Sequence, residues 1–234
     1  MAKQYEFLIT CEHAGKEIPS FLENYRKDLA PFLDTHRGHD FGAFEMATRF
    51  SNEFSFPFYS QNVTRMVVDS NRSLHHSEVF SEVTRAMPKA LKEQVVREVY
   101  LAHRGPVSRF VKEAIDREKT VIHIAVHSFA PVVNGLKRET DIGLLYDPNH
   151  GTEKQFARAW KSALTKRSNY KVRMNYPFRG VADGFPTSLR KKFGSNYLGF
   201  ELEANRSYFV SGNDVWRNFL EVQVRALAAV FDSL

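Results

Sequence analysis

The run Val121 to Val126, Val-Ile-His-Ile-Ala-Val, followed at once by His127-Ser128, constrains this chain more than any other stretch. It is uncharged and dominated by β-branched side chains, which suits a strand buried in a sheet. Shorter apolar runs repeat the theme: Tyr5 to Thr10, Phe56 to Ser60, Arg65 to Asp69, Ile142 to Tyr146 and Tyr197 to Glu203 all read as strands. Between them lie segments of helical spacing. Gly42 to Phe54 places Ala43, Met46, Ala47 and Phe50 on one face, and Glu153 to Ser168 reads as a helix. Pro88 to about Glu118 is helical in pattern, with a break or a new start expected at Gly105-Pro106. Asp214 is placed to cap a last helix whose apolar face is Trp216, Phe219, Leu220, Val224, Leu227 and Phe231. Strands alternating with helices predict an α/β fold, a mixed, mostly parallel sheet covered by helices on both faces. Ligands of such sheets collect at the carboxyl ends of strands. His13, Asp69, His127 and Glu203 all stand at such ends.

Composition narrows the class. The 234 residues suit one domain spanning 1–234, and no repeat or Pro/Gly/Ser-rich linker divides them. With 43% hydrophobic residues and 20 Phe the chain is no disordered segment, and no apolar run approaches the ~18 residues of a membrane span. The start, MAKQYEFLIT, lacks the apolar core of a signal peptide. A single cysteine, Cys11, excludes an internal disulfide and any cysteine-based zinc module, and points to a reducing, cytoplasmic setting. The net charge of +6 comes from 33 Lys and Arg spread without a block, so it reads as a solvated basic surface that also favours a small anionic substrate. No interleaving of basic and aromatic residues supports nucleic-acid binding.

Three groups of residues carry the chemistry. His13 and His127, at separate strand ends, offer two nitrogen ligands of the kind zinc takes at about 2.0–2.2 Å, and the loop 34–40 offers a carboxylate or a third histidine. His123 shares a strand face with His127 and reads as a satisfied core histidine, whereas His75 and His76 read as surface. Glu201 and Glu203 are two apart, on one face of a strand. They are either a buried pair able to act as general base or acid, or the solvated face of an edge strand. Arg65 and Arg72 flank Asp69 and Asn71; the guanidinium fork suits a carboxylate ligand, or equally a structural pair with Asp69.

Taken in order, ITCEHAGKEIP, THRGHDFGA, TRMVVDSNR, VHSFAPVVNG, DIGLLYDP, NYPFRGVADG and GFELEANRSYF resemble the N-formylglutamate amidohydrolase family, from residue 9 to about 209. The resemblance implies a fold similar to zinc-dependent exopeptidases, more distantly like the zinc muramoyl-alanine amidases. It also implies one zinc per chain held by His13, Asp40 and His127, with His36 the next choice for the third ligand; His39 looks like a local addition. Glu203 matches the family's late carboxylate and is expected as general base, with Glu201 as its partner or alternative. Glu12 and Glu17 fall outside the motif. Arg65, Arg72 and Arg206 would hold substrate carboxylates, and Asn71 and Asn205 would orient the substrate or a ligand. The expected reaction is hydrolysis of a small anionic N-acyl-amino acid, N-formyl-L-glutamate first among them. A zinc amidase for another acylated amino acid or peptide, or a non-catalytic binding protein on the same fold, is the alternative.

Overall fold

In the computed structural model, which describes residues 4–232, the Val121–Val126 run lies inside a ten-residue strand near the middle of a six-stranded sheet. The elements follow in chain order. Strand β1 (Tyr5–Cys11) leads to helices α1 (Arg26–Leu33) and α2 (Ala43–Phe54), then to β2 (Phe58–Ser60). Helices α3 (Lys89–Val95) and α4 (Leu101–Asp116) precede β3 (Thr120–Phe129) and a small hairpin of β4 (Val132–Val133) and β5 (Leu136–Lys137). Strand β6 (Ile142–Leu145), helix α5 (Gly151–Arg167), β7 (Val172–Met174), α6 (Phe185–Phe193), β8 (Tyr197–Asn205), α7 (Ser207–Val210) and α8 (Asn213–Phe231) complete the fold. The sheet order is β2-β1-β3-β8-β6-β7, parallel at each junction except β6 against β8. This is the mixed, mostly parallel sheet that the alternating pattern predicts.

Strand alternation divides the sheet between two cores. Ile122, Ile124 and Val126 of β3, with Leu198, Phe200 and Leu202 of β8, face α2, α5 and α8, where Phe50, Trp160 and Phe219 are fully buried. Each such side chain contributes about 1.5–3 kcal/mol by leaving water. The opposite face is apolar only at its amino end, where Leu8, Val121 and Tyr197 meet Val107, Val111 and Ala114 of α4 and Phe185 and Leu189 of α6. Towards the carboxyl end the same face turns polar: Thr10, His123, His127, Glu201 and Glu203, all buried. Strand β8 is therefore an interior strand, and the solvated-edge reading of Glu201 and Glu203 does not hold. His127 and Glu203 are direct register partners.

Three local expectations differ from what forms. Arg65 to Asp69 is not a strand. Its apolar triplet Met66-Val67-Val68 is buried in a satellite core with Leu22, Leu29, Val79 and Val95, and its backbone bonds are those of turns, Val67 N–H to Thr64 O at 2.9 Å and Arg72 N–H to Asp69 O at 3.0 Å. Burial in a loop core produced the apolar run. The helical break falls not at Gly105-Pro106 but earlier, at a π turn over Val96–Tyr100. Pro106 sits inside α4, where the buried His103, Arg104, Val107 and Val111 hold the helix despite the missing N–H. Asp214 makes no cap; it lies in the first turn of α8, after Gly212, and pairs with Arg217.

His123 is a satisfied core histidine. Nε2 is 2.7 Å from the Thr10 hydroxyl, and Nδ1 meets the Tyr197 hydroxyl. Burial pushes its pKa down to about 4. Below pH 6.5 the unfolded chain takes up a proton that the folded chain refuses until about pH 4, so stability present above 6.5 is lost as pH falls through this window. This group should account for about 3 kcal/mol of the loss, at 1.36 kcal/mol per pKa unit. Urea unfolding at pH 7 and near pH 4 should show that much less pH dependence in His123→Phe than in the wild type; equal slopes would contradict the assignment.

Candidate metal centre

Three candidate ligands of two types, two histidines and an aspartate, come together at the carboxyl ends of β1 and β3. His13 stands just beyond β1, His127 near the end of β3, and Asp40 in the turn that starts α2. Asp40 is tied to both histidine segments: its N–H donates to His13 O at 3.0 Å, and Oδ2 accepts the Ser128 N–H at 3.2 Å. Gly42 makes that turn with φ +79°, a left-handed conformation; a Cβ there would lie 2.8 Å from the Phe209 ring and 2.9 Å from Trp216. Oδ2 of Asp40 is 3.0 Å from His127 Nδ1 and 3.4 Å from His13 Nδ1. One ligand atom from each residue falls within 4.8 Å of the others, and all three side chains are buried.

The outer nitrogens are held by carboxylates. His13 Nε2 is 2.7 Å from Asp69 Oδ1, while an Arg65 N–H donates to His13 Nδ1 at 3.2 Å, which assigns the ring proton to Nε2 and a lone pair to the inner nitrogen. His127 Nε2 is 3.1 Å from Glu12 Oε2, off the line of a hydrogen bond. Such outer carboxylates fix the ring orientation and raise the basicity of ligating histidines. Burial alone would raise the carboxyls of Asp40 and Asp69. Instead His13 and His127 hold Asp40 well below its usual range, and Arg65 and His13 do the same for Asp69. His127, penalised by burial, is nonetheless held well above its usual value between Asp40 and Glu12. The pocket thus favours positive charge. Two inward imidazole nitrogens, a carboxylate oxygen and a surplus of buried negative charge fit a metal cation.

Glu12, which the sequence reading set outside the motif, lies against the cluster. It is fully buried between His127 and His103 of α4, whose Nε2 is 3.6 Å from Oε1, and neither carboxylate oxygen has an aligned hydrogen bond. The two histidines hold it well below the usual carboxylate range against the effect of burial. The residue after His103, Arg104, is buried as well. Its guanidinium is stacked against Phe185 at 4.1 Å and donates to Ser70 O and Arg72 O at 3.0 and 3.1 Å. A buried charge that satisfies backbone carbonyls pins the loop carrying Asn71 and Arg72.

That loop walls a cavity of about 270 Å³ in front of the three ligands. Of the expected site residues, Arg65, Asn71, Arg72, Glu201 and Glu203 line it, and His36 stands at its rim instead of joining the ligand cluster. Arg65 is engaged by Asp69 at 2.7 Å and lies 3.6 Å from Asp40, so its charge is taken up by carboxylates of the chain. Arg72 donates to Asp183 O at 2.7 Å. Asn71 accepts the Phe185 N–H at 2.7 Å, which turns its amide nitrogen to Glu201 Oε2 at 3.3 Å. Burial raises the pKa of Glu201, and it pushes Glu203 up to about 8 with help from Asp40 and Glu201. Two residues fall elsewhere. Asn205 is spent on structure, donating to Thr140 O and accepting the Ser207 N–H, both at 3.0 Å. Arg206 lies outside the cavity, over the Phe41 ring. Arg138 and Arg179, which the sequence did not single out, line the cavity in their place.

The model of one protein family, N-formylglutamate amidohydrolase, matches residues 5–210. The chain belongs to that family. Among solved structures, a gene product of Agrobacterium tumefaciens superposes with TM-score 0.77 at 23% identity, over 96% of this chain and 91% of the other. The N-formylglutamate amidohydrolase of Ralstonia eutropha JMP134 gives TM-score 0.68 at 14% identity, over 100% and 96%. Both share the fold. A metallo-carboxypeptidase of Burkholderia cenocepacia lies further off, at TM-score 0.41 and 14% identity, over 99% of this chain and 58% of that one. No curated protein matches the chain. Among the described residues no helix is long and apolar enough to cross a membrane. Membership of an amidohydrolase family and a buried cluster able to hold a metal ion thus meet in one molecule.

The outer carboxylates should matter to the ion. Glu12→Gln leaves the three ligands in place and removes the charge behind His127, so metal affinity should fall by roughly 10–100-fold. Chelator competition on the purified variant measures this. Affinity equal to the wild type would reduce Glu12 to a packing residue.

Proposed function

We propose that the protein is a zinc-dependent amide hydrolase for small N-acyl-amino acids with free carboxylates, N-formyl-L-glutamate being the leading candidate. The observation that carries the reading is Glu203. It is a buried carboxylate in register with His127, facing the ligand cluster, with one oxygen unpartnered. Zinc suits a donor set of two imidazoles and one carboxylate, and when bound it supplies Lewis acidity, lowering the pKa of water and polarising a carbonyl oxygen. The buried Cys11 fits a reducing, cytoplasmic setting.

The protein groups divide the remaining work. Glu203 takes the proton of the attacking water and delivers it to the leaving amine. Burial favours its protonated form and a neighbouring cation favours the ionised one, which brings it to the neutral range a proton carrier needs. Glu201, one strand step deeper, is oriented by Asn71 and lies 4.0 Å from His127 Nε2, the outer side of that ring, which suits positioning rather than proton transfer. Arg72, Arg138 and Arg179 hold the substrate carboxylates, since Arg65 is already engaged. A fixed guanidinium gives both charge and direction, which keeps the amide in near-attack geometry.

Metal analysis of the purified protein should find about one zinc per chain, and N-formyl-L-glutamate should be hydrolysed in preference to N-formyl amino acids lacking a side-chain carboxylate. Glu203→Gln should keep its zinc and lose roughly 10²–10⁴-fold in kcat, whereas Glu201→Gln should lose less. The opposite ranking at full zinc occupancy would exchange their roles. Arg72→Lys keeps the charge but loses the planar fork, and kcat/KM should fall by an amount equivalent to about 1.5–3 kcal/mol. An unchanged kcat/KM on every substrate turned over would remove Arg72 from the binding site.

A further inference from the structure

Arg206, which the catalytic cavity leaves out, has a hollow of its own. It follows the last residue of β8, and its N–H donates to Phe129 O at 3.1 Å, so its backbone is fixed to the end of β3. Its half-buried guanidinium lies 5.4 Å from the centre of the Phe41 ring. With Phe32, Arg37 and Val210 these residues line a groove of about 710 Å³, a size within the range of small-ligand sites. The groove and the catalytic cavity meet at His36, which lines both. Burial and the nearby guanidiniums of Arg206 and Arg37 hold the His36 imidazole below its ordinary pKa, a sign of positive field at the junction.

The charges in this groove are unevenly matched. Arg37 stacks on Phe32 at 4.4 Å and is paired with Glu82, and Asp34 is paired with Lys16. The guanidinium of Arg206 has no ion pair and no hydrogen bond among the described residues. The Phe41 ring lies within cation–π reach at 5.4 Å and leaves the N–H groups free to meet a carboxylate bidentately. Phe41 and the exposed Val210 supply apolar surface beside it.

We propose that this groove receives the far end of the acyl group, so that the enzyme takes, beyond formyl, acyl chains that end in a carboxylate. The inference rests on the hydrolase reading above. With the amino-acid carboxylates on Arg72, Arg138 and Arg179, the acyl side of the scissile amide has the way past His36, and Arg206 is the unpaired cation it meets. Hydrolysis breaks the amide C–N bond, adds the hydroxyl of water to the acyl carbon and its proton to the amine, and releases a dicarboxylate and a free amino acid. A formyl group leaves the groove empty. A chain of several methylenes reaches into it.

The test compares two ligands of equal chain length, N-glutaryl-L-glutamate and N-pentanoyl-L-glutamate, which differ by the terminal carboxylate. Their dissociation constants are measured by calorimetry on the zinc-loaded Glu203→Gln protein, which holds them unhydrolysed, with Arg206 intact, as Arg206→Lys and as Arg206→Ala. With Arg206 intact the glutaryl ligand should bind about tenfold or more tighter, as expected for a charge-assisted contact. The ratio should shrink in Arg206→Lys and approach one in Arg206→Ala. A ratio near one with Arg206 intact, or the same preference in Arg206→Ala, overturns the proposal. Hydrolysis of N-formyl-L-glutamate by the unmutated enzyme is followed in parallel. Its absence would overturn the hydrolase reading, while the ratio of dissociation constants still decides whether the groove reads the carboxylate.

Discussion

Carboxylates crowded beneath two imidazoles are the constraint from which the rest of this molecule follows. Glu12, Asp40, Asp69, Glu201 and Glu203 are all at least nine-tenths buried, and they surround His13 and His127. Burying one unpaired ionised carboxylate costs several kcal/mol, and like charges so close compound the cost. The protein's answers are visible in the geometry. Arg65 spans Asp69 and Asp40, Asn71 donates to Glu201, and burial pushes the Glu203 carboxyl up to about 8, which eases its charge. What remains is a deficit of positive charge at the point where two imidazole nitrogens and one carboxylate oxygen converge. A cation at that point completes the balance.

Holding such a cluster requires rigid walls, and these come from the α4–α6 side of the sheet. The π turn before α4 precedes the helix face on which His103 backs Glu12 and Arg104 reaches the 69–73 loop. The side chain of Arg104 is packed between the Tyr100 and Phe185 rings, and the Tyr100 hydroxyl donates to Arg72 O at 2.7 Å. Loop residues that face the cavity are therefore positioned by a helix whose own pattern looks like ordinary core. The other face of the sheet, apolar throughout, supplies stability without constraining the chemistry.

Strand alternation made much of this legible. One β-branched run predicted a buried strand, and the two-residue period put His123 with His127 on one face of it and Glu201 with Glu203 on one face of another; the register of β3 and β8 then brings the two pairs to the same side. The positions of His13 and His127 at strand ends were likewise readable, because a histidine directly after an apolar run has few places to go. What stayed hidden depends on side chains meeting across long separations. Glu12 falls outside the motif until His103, 91 positions later, is seen beside it. Met66-Val67-Val68 reads as a strand because apolar residues buried in a loop core carry no mark of their hydrogen bonding. Asn205 and Arg206, adjacent to the site in sequence, diverge because β8 ends there: one side chain turns back to Thr140 and the other leaves over Phe41.

Gly42 carries a dependence of the site on a distant part of the chain. Its left-handed turn sets where Asp40 ends and α2 begins, and the space beside it is filled by the rings of Phe209 and Trp216. Trp216 belongs to α8, which starts at Asn213, beyond the stretch that matches the family. The turn that carries Asp40 is thus backed partly by a ring inside the matched stretch, Phe209, and partly by a terminal helix outside it. A change in the last helix therefore reaches the Asp40 turn, far from it in sequence, through one indole.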